Sequence, residues 1–485
     1  MVRSTRRRPP AIPLIALAAA AVLLSGLVSA CGGRPSGAAA LENRLLSARD
    51  LPSGWSAVPV NPKAVQTNAP CLASVGARPT GWTYADAAFV EGVSIPNLVE
   101  VLAIGAKVGE RWQALARALA ACRSATLTIG GTKAAAAVRP LPFPRLASTS
   151  SSSAYAWSLT VAGIPIGFDL VLFETGRYAG YIAYSDLGAP SAATVQAFAR
   201  AAVTKARTGS TARISDALSV TSAPVRGART TLGTVAYRVV GSGPPLVLIT
   251  GYGGTMQGWD RRFVDALAQR YRVVIFDNAG VGRTQSLKPL TVDAMANQTS
   301  ALINALHLRQ VDVLGWSMGS MIAQALAVLH PAQVHRLVLC ASYPGNGQAT
   351  RPSAAAIAAL KSGNEQKVMA DLFPANQTAA RDTYLAAISS YPAAPAVPAG
   401  TLAAQSQAVI MWWAGTDPAG ARDATISAAT LIADGTADRL DPLANSRVLA
   451  SLIRGSKLEL YPDAGHAFLF QDEAAFVVTV ESFLG

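Results

Sequence analysis

Charged residues make up only 14% of this 485-residue chain, and histidine and cysteine are scarcer still, with four of each. Low charge beside 51% hydrophobic residues excludes a disordered chain and fits compact folded domains. The cysteines form no CxxC pair and no cluster with histidine, so neither a metal site nor a cofactor is expected. Acidic residues are the minority sign, 28 against 41 Lys and Arg, for a formal charge of +13. Four of those positive charges, Arg3, Arg6, Arg7 and Arg8, lie in the first eight residues. No basic cluster interleaved with aromatics follows, which argues against nucleic acid as a partner.

A chain this long exceeds one ordinary core, so at least two folded units are expected. Much of the apolar content is alanine, which favours helices while burying little surface per residue. The arginines are followed by an apolar stretch, Ala11 to Val28, that ends in Val28-Ser29-Ala30-Cys31. A small-residue cleavage site directly before a cysteine resembles the lipobox of bacterial lipoproteins. That resemblance implies a signal peptide over 1–30 and a diacylglyceryl group on Cys31. It implies a protein tethered by palmitate-type acyl chains to the extracytoplasmic face of the cell membrane. The alternative is an uncleaved membrane helix, for which roughly 18 residues is the lower limit. Arg6-Arg7 and Arg7-Arg8 leave the general and twin-arginine export routes both open. In an exported protein Cys71 and Cys122 are available to form a disulfide, whereas Cys340, inside an apolar strand, reads as a buried inert thiol.

Residues 41–207 read as an α+β N-terminal domain. Arg111 to Cys122 spaces Trp112, Leu115 and Leu119 along one helical face. Ala154 to Tyr184 reads as strands with tight turns at Ala162-Gly163 and Thr175-Gly176, and helical residues return from Ala192 to Lys205. No catalytic constellation occurs there. Residues 208–224, rich in Ser, Thr, Ala and Arg, read as a linker. Beyond it the pattern over 225–485 changes. Thr230 to Val240 alternates like an antiparallel edge strand. Continuous apolar runs then recur at Leu246 to Ile249, Val273 to Phe276, Val311 to Leu314, Leu337 to Leu339 and Thr430 to Ile432, separated by helical stretches. Alternation of this kind predicts a doubly wound, mostly parallel α/β sheet.

The motif Gly315-Trp316-Ser317-Met318-Gly319 falls between a buried strand and a helix. A serine on so tight a turn lifts its hydroxyl above the sheet, and glycines are needed where the flanking backbones nearly touch. The helix that follows presents free amides to a developing oxyanion, and the Met318 N–H is the first of them.

With this motif the chain from about Ala228 onward resembles the α/β-hydrolase fold family, in particular its esterase, perhydrolase and meta-cleavage-product hydrolase branches. Leu248-Ile249-Thr250-Gly251-Tyr252-Gly253-Gly254 is similar to the family's strand and oxyanion loop. Thr250 stands where histidine is usual, and the resemblance assigns the second oxyanion amide to Tyr252. Asp277 to Thr284 resembles a segment that packs beneath the site. Asp463-Ala464-Gly465-His466 matches the late Gly-His segment that supplies the general base, whereas His307, His330 and His335 sit at helix ends or before a strand. Gly435-Thr436-Ala437-Asp438 matches the family's orienting carboxylate, with Asp441 as its competitor. Asp472 reads as a helix cap or surface acid.

The resemblance implies Ser317 as nucleophile, His466 as base and Asp438 as its partner, in the chain order this fold uses. It also implies a helical cap over about 343–423, in which Trp412-Trp413 lines a pocket or fills the core. The expected reaction is cleavage of a small-molecule carboxylic ester through an acyl-enzyme. Perhydrolysis or carbon–carbon hydrolysis with the same three residues is the alternative, as is a non-catalytic lipid-anchored binding protein.

Overall fold

The computed structural model describes residues 38–52, 54–60, 65–75, 81–91, 96–129, 132–161, 163–214 and 219–485. The expected signal peptide, Cys31, Ala162 and residues 215–218 of the expected linker lie outside these. The chain divides into two compact units at Asp216/Ala217.

The first unit is built on nine antiparallel strands: β1 (Trp55–Val58), β2 (Val65–Asn68), β3 (Thr83–Glu91), β4 (Asn97–Ile104), β5 (Ser124–Ile129), β6 (Thr132–Leu141), β7 (Ser151–Val161), β8 (Ile164–Thr175) and β9 (Tyr178–Leu187). Their order across the sheet is β1-β3-β4-β9-β8-β7-β6-β5-β2. Alanine's helix preference is overridden in β6. Its run Ala134 to Ala137 pairs with β5 on one side, and β7 pairs with the same strand on the other. Alternate residues of β6 are buried, the period-two pattern of a strand with one covered face.

Two long helices pack on this sheet. Val108–Ala121 buries Trp112, Leu115 and Leu119, and the Trp112 indole donates to the Gly180 carbonyl at 2.8 Å. Ala192–Thr208 starts on the Ser191 side chain and ends at Gly209, whose φ of 85° suits glycine. Tyr155 donates to the Ala116 carbonyl in the first helix, while Tyr184 stacks on Phe198 of the second. Tyr184 lies in register with Asp169 and so with Ala156, the residue after Tyr155. Since neighbours in a strand face opposite ways, the helices lie on opposite faces. A Cys71–Cys122 disulfide closes the end of the first helix, with the Cα atoms 5.3 Å apart.

The second unit holds β10 (Arg226–Thr230), β11 (Gly233–Val240), β12 (Pro245–Ile249), β13 (Arg272–Phe276), β14 (Val311–Trp316), β15 (Val334–Cys340), β16 (Ala429–Gly435) and β17 (Lys457–Tyr461). The order is β10-β11-β13-β12-β14-β15-β16-β17, antiparallel at β10, β11 and β13 and parallel from β13 onward. The expected edge strand Thr230 to Val240 is corrected. Gly233, at φ 103°, turns the chain into a hairpin, so β11 is interior and β10 is the edge. The end of the expected linker is folded too: Val220 to Ala223 are buried, and their carbonyls receive the buried Arg238 guanidinium.

Helices Arg261–Leu267, Val292–Ala305, Met318–Leu329, Ala444–Leu452, Phe468–Gln471 and Glu473–Leu484 flank the sheet. Asp472 precedes the last of these without a side-chain capping bond, so of its two expected roles, cap or surface acid, the cap is not formed. Between β15 and β16 four helices are inserted: Ala354–Lys361, Glu365–Leu372, Thr378–Ser389 and Ala399–Trp413. Among the described residues no helix is long and apolar enough to cross a membrane.

Candidate active site

Because β12 to β17 run parallel, their carboxyl ends open on one edge of the sheet, where a doubly wound fold leaves a crevice. Ser317 follows β14 and begins the helix Met318–Leu329, with φ 59° and ψ −126°. A left-handed φ is unfavourable for serine, and the surrounding backbone enforces it. The Ser317 N–H donates to the Cys340 carbonyl at 2.9 Å. The fully buried Ser320 hydroxyl lies 2.5 Å from the Gly315 carbonyl and 2.9 Å from that of Cys340. A Cβ on Gly315 would collide with the Gly319 backbone, and one on Gly319 with the Ile249 carbonyl. Ser320 was not singled out from sequence, because its role depends on β14 and β15 lying side by side.

His466 follows β17. Its Nδ1 lies 2.7 Å from Asp438 Oδ2, and both side chains are buried. The other Asp438 oxygen accepts the Leu440 and Asp441 amides, each at 2.7 Å. Three bonds thus hold this carboxylate in place beside the ring. The contact between Asp438 and Nδ1 fixes the tautomer that leaves the other ring nitrogen unprotonated and able to accept a hydroxyl proton. Asp441 makes no such contact. Its Oδ1 accepts from Asn445 Nδ2 at 2.7 Å, and burial, with the Asp438 charge adding, holds its carboxyl well above the usual range. Asp434, which accepts the Ser446 hydroxyl at 2.6 Å, is raised chiefly by burial as well. Of these three neighbouring acids, Asp438 is the one bonded to the imidazole.

Two aromatic contacts set the imidazole loop. The Trp316 indole donates to the His466 carbonyl at 2.9 Å, and its ring meets Phe470 edge-on at 5.1 Å. From the inserted helices, the Leu372 carbonyl accepts the Ala467 amide at 3.0 Å. Asp371 sits beside this contact, raised chiefly by burial and offset by Arg439, whose Nη1 is 3.6 Å away.

Ser317, His466, Tyr252 and Met318 line one cavity of about 400 Å³, with Thr250, Gly251, Trp316, Tyr343 and the inserted helices forming its other walls. No hydrogen bond among the described residues joins the Ser317 hydroxyl to the ring, a contact that in unliganded sites commonly closes only around substrate. Met318 is the first residue of its helix, where an amide has no intrahelical acceptor. The loop that carries the Tyr252 amide is held from the inserted helix Ala399–Trp413, where Gln405 Oε1 accepts the Gly253 N–H at 2.9 Å. Gln405 is fully buried and was not legible in the sequence, since 152 positions separate the partners.

Asp277 accepts the Met256 amide at 2.8 Å and the Arg283 amide at 3.1 Å, which ties down the loop after β13. The paired tryptophans divide their roles. Trp413 lines the cavity, whereas Trp412 is fully buried and donates to the Tyr343 carbonyl at 3.0 Å. The remaining histidines lie elsewhere: His330 bonds Asn297, His335 bonds Asp312, and His307 ends a helix. Cys340 is fully buried in β15, and burial raises its thiol well above the usual range.

Residues 244–473 match the family model described as alpha/beta hydrolase fold. A Mycobacterium tuberculosis protein provisionally named non-heme bromoperoxidase BpoC is 41% identical over 109 residues, which are 22% of this chain and 42% of that protein. A Caulobacter protein provisionally named carbamate hydrolase RutD is 30% identical over 271 residues, covering 52% of this chain and 97% of its own. The 2-hydroxymuconate semialdehyde hydrolase of a Pseudomonas species is 28% identical over 250 residues, 50% of this chain and 88% of that enzyme. The strand order, the turn that carries Ser317 and these matches agree: the chain belongs to the α/β-hydrolase fold family, whose fold its second unit has.

Proposed function

We propose that the chain is an exported, lipid-anchored serine hydrolase that cleaves a small carboxylic ester through an acyl-enzyme. One observation carries the chemistry: a serine held at φ 59° shares a cavity with a histidine whose Nδ1 is bonded to a buried carboxylate. Ser317 Oγ attacks the ester carbonyl carbon as His466 Nε2 takes its proton. The Tyr252 and Met318 amides face the oxyanion. Collapse breaks the ester C–O bond, and the alcohol leaves with the proton from His466. Water, deprotonated by the same nitrogen, then attacks the acyl carbon, releases the carboxylic acid and restores the serine hydroxyl.

Labelling by a neutral fluorophosphonate tests this reading. The intact protein should label covalently and Ser317→Ala should not; an unlabelled intact protein leaves the non-catalytic binding reading in its place. Relatives named for carbamate, semialdehyde and bromoperoxidase chemistry make carbon–carbon hydrolysis or perhydrolysis the second reading. Turnover of a vinylogous 1,5-diketone above that of any ester would favour it.

The order of arginines, apolar run and Val28-Ser29-Ala30-Cys31 supports the anchor. In cells, Cys31→Ser should move the protein out of the detergent phase, and globomycin should leave its precursor uncleaved. Retention of Cys31→Ser in the membrane would favour the uncleaved helix instead.

A further inference from the structure

The cavity that holds Ser317 counts two cations among its lining residues, Arg351 and Lys361, both exposed to solvent, and no Asp or Glu. Among the described residues neither cation has an ion-pair partner within 4.0 Å, although the same unit pairs Arg262, Arg270, Arg381 and Arg439 with acids. An apolar cavity that holds positive charge and no counter-charge is complementary to an anion. A lysine and an arginine are not equivalent there. Arg351 presents a planar fork that matches a carboxylate, whereas Lys361 is a hydrated point charge at the far end of an eight-residue helix.

The backbone before Arg351 is fixed from both sides. The Thr350 N–H donates to Asn445 Oδ1 at 2.7 Å, and Asn445 Nδ2 donates to the Thr350 carbonyl at 2.9 Å. Asn445 is fully buried and is itself held by Asp441, three residues from the carboxylate that bonds His466. The Arg351 guanidinium then lies over the Trp413 ring, 6.0 Å from its centroid, and Trp413 meets Tyr343 at 5.2 Å. The Trp413 indole N–H is buried without an acceptor. The Arg351 guanidinium thus offers a fork of donors at the cavity, with no acceptor for it among the described residues.

We infer that this hydrolase acts on esters that carry a carboxylate and that Arg351, lying over Trp413, anchors that carboxylate. The inference rests on Ser317 being the nucleophile of the cavity, and it adds the class of compound taken there. The carboxylate sits on either the acyl or the leaving-group side of the scissile bond, and matched esters separate the two. One pair is mono-4-nitrophenyl glutarate against 4-nitrophenyl valerate; the other is 4-butyryloxybenzoate against 4-methylphenyl butyrate.

The wild type should favour the charged member of one pair by at least about tenfold in kcat/KM, the size of one charge-assisted hydrogen bond. Arg351→Gln should bring that ratio near one, mainly through KM, and Arg351→Lys should restore part of it. Lys367→Gln, an equal loss of charge on an exposed residue outside the cavity, should leave the ratio as it was. Equal rates within both pairs, or a preference that survives in Arg351→Gln, overturns the inference. Calorimetric binding of 4-phenylbutyrate against 4-phenylbutyramide reads the same preference without chemistry, and equal affinity overturns it even where no ester turns over. Fluorophosphonate labelling reports separately on Ser317, so loss of the anion preference with labelling intact leaves the hydrolase reading standing.

Discussion

The two units use sheets of nearly equal width in opposite ways. In the first, every pairing is antiparallel, so successive loops fall at alternate ends of the sheet. In the second, parallel strands return through helices, and the loops after β12, β14, β16 and β17 open on one edge. That edge receives Tyr252, Ser317, Asp438 and His466, of which the first and last are more than 200 positions apart. Strand direction, more than strand count, decides whether a sheet can assemble a site. The first unit instead invests in cohesion, with long hairpins and a disulfide.

The sharpest way to break this comparison lies within the acidic loop of the second unit. Asp438→Asn should lower kcat for ester hydrolysis about 10⁴-fold by removing the partner that sets the imidazole tautomer. Asp441→Asn, three residues on, should stay within about tenfold of wild type, because its carboxyl, held well above the usual range by burial, bonds Asn445 and makes no contact with the imidazole. Equal losses in steady-state assays would mean that the two acids act as one.

Cohesion of the first unit is tested by Cys122→Ser. Opening a loop of 51 residues should cost that unit about 4 kcal/mol and lower its calorimetric transition, while hydrolysis by the second unit stays unchanged. A parallel loss of activity would show that the second unit depends on the first.

A smaller effect concerns Glu100, a fully buried acid in β4 that burial raises from 4.5 to about 8, against the Leu46 amide it accepts at 2.6 Å. The folded state holds this proton where the unfolded chain has released it. Its stabilising contribution is therefore complete below 4.5 and lost as pH rises toward 8. The stability of the first unit should fall by up to about 1.4 kcal/mol per pH unit across that window. Glu100→Gln should shallow the slope in calorimetric scans from pH 5 to 8; an unchanged slope would assign it to other groups such as Asp169, raised to about 7.

The smallest expected change is in Gln405→Ala, which frees the Gly253 amide and loosens the loop that carries Tyr252. It should reduce kcat about tenfold with little change in KM, the pattern of a bond that matters most at the transition state. A rise in KM alone would make Gln405 a cavity-wall residue rather than a positioning one.

How much of this is legible in sequence follows from the range of each interaction. The turn at Ser317 is written in five adjacent residues, since its glycines answer to local crowding. The pairing of Asp438 with His466 is approachable because each follows a recognisable strand at a family spacing. Gln405, Ser320 and the division between Trp412 and Trp413 carry no such local mark, because each depends on an element far off in the chain. In the first unit, β3 and β4 carry mixed polar and apolar residues and escape a reading by periodicity. The alanines of β6 point toward helix until two neighbouring strands claim them.

The φ of 59° at Ser317 has a consequence for descent as well as for chemistry. A side chain held there stores about 1–3 kcal/mol of strain, and only a residue without a Cβ relieves it fully. Selection for stability alone would therefore erase the serine first, in favour of glycine. Among copies of this gene, the position records whether activity is still being paid for.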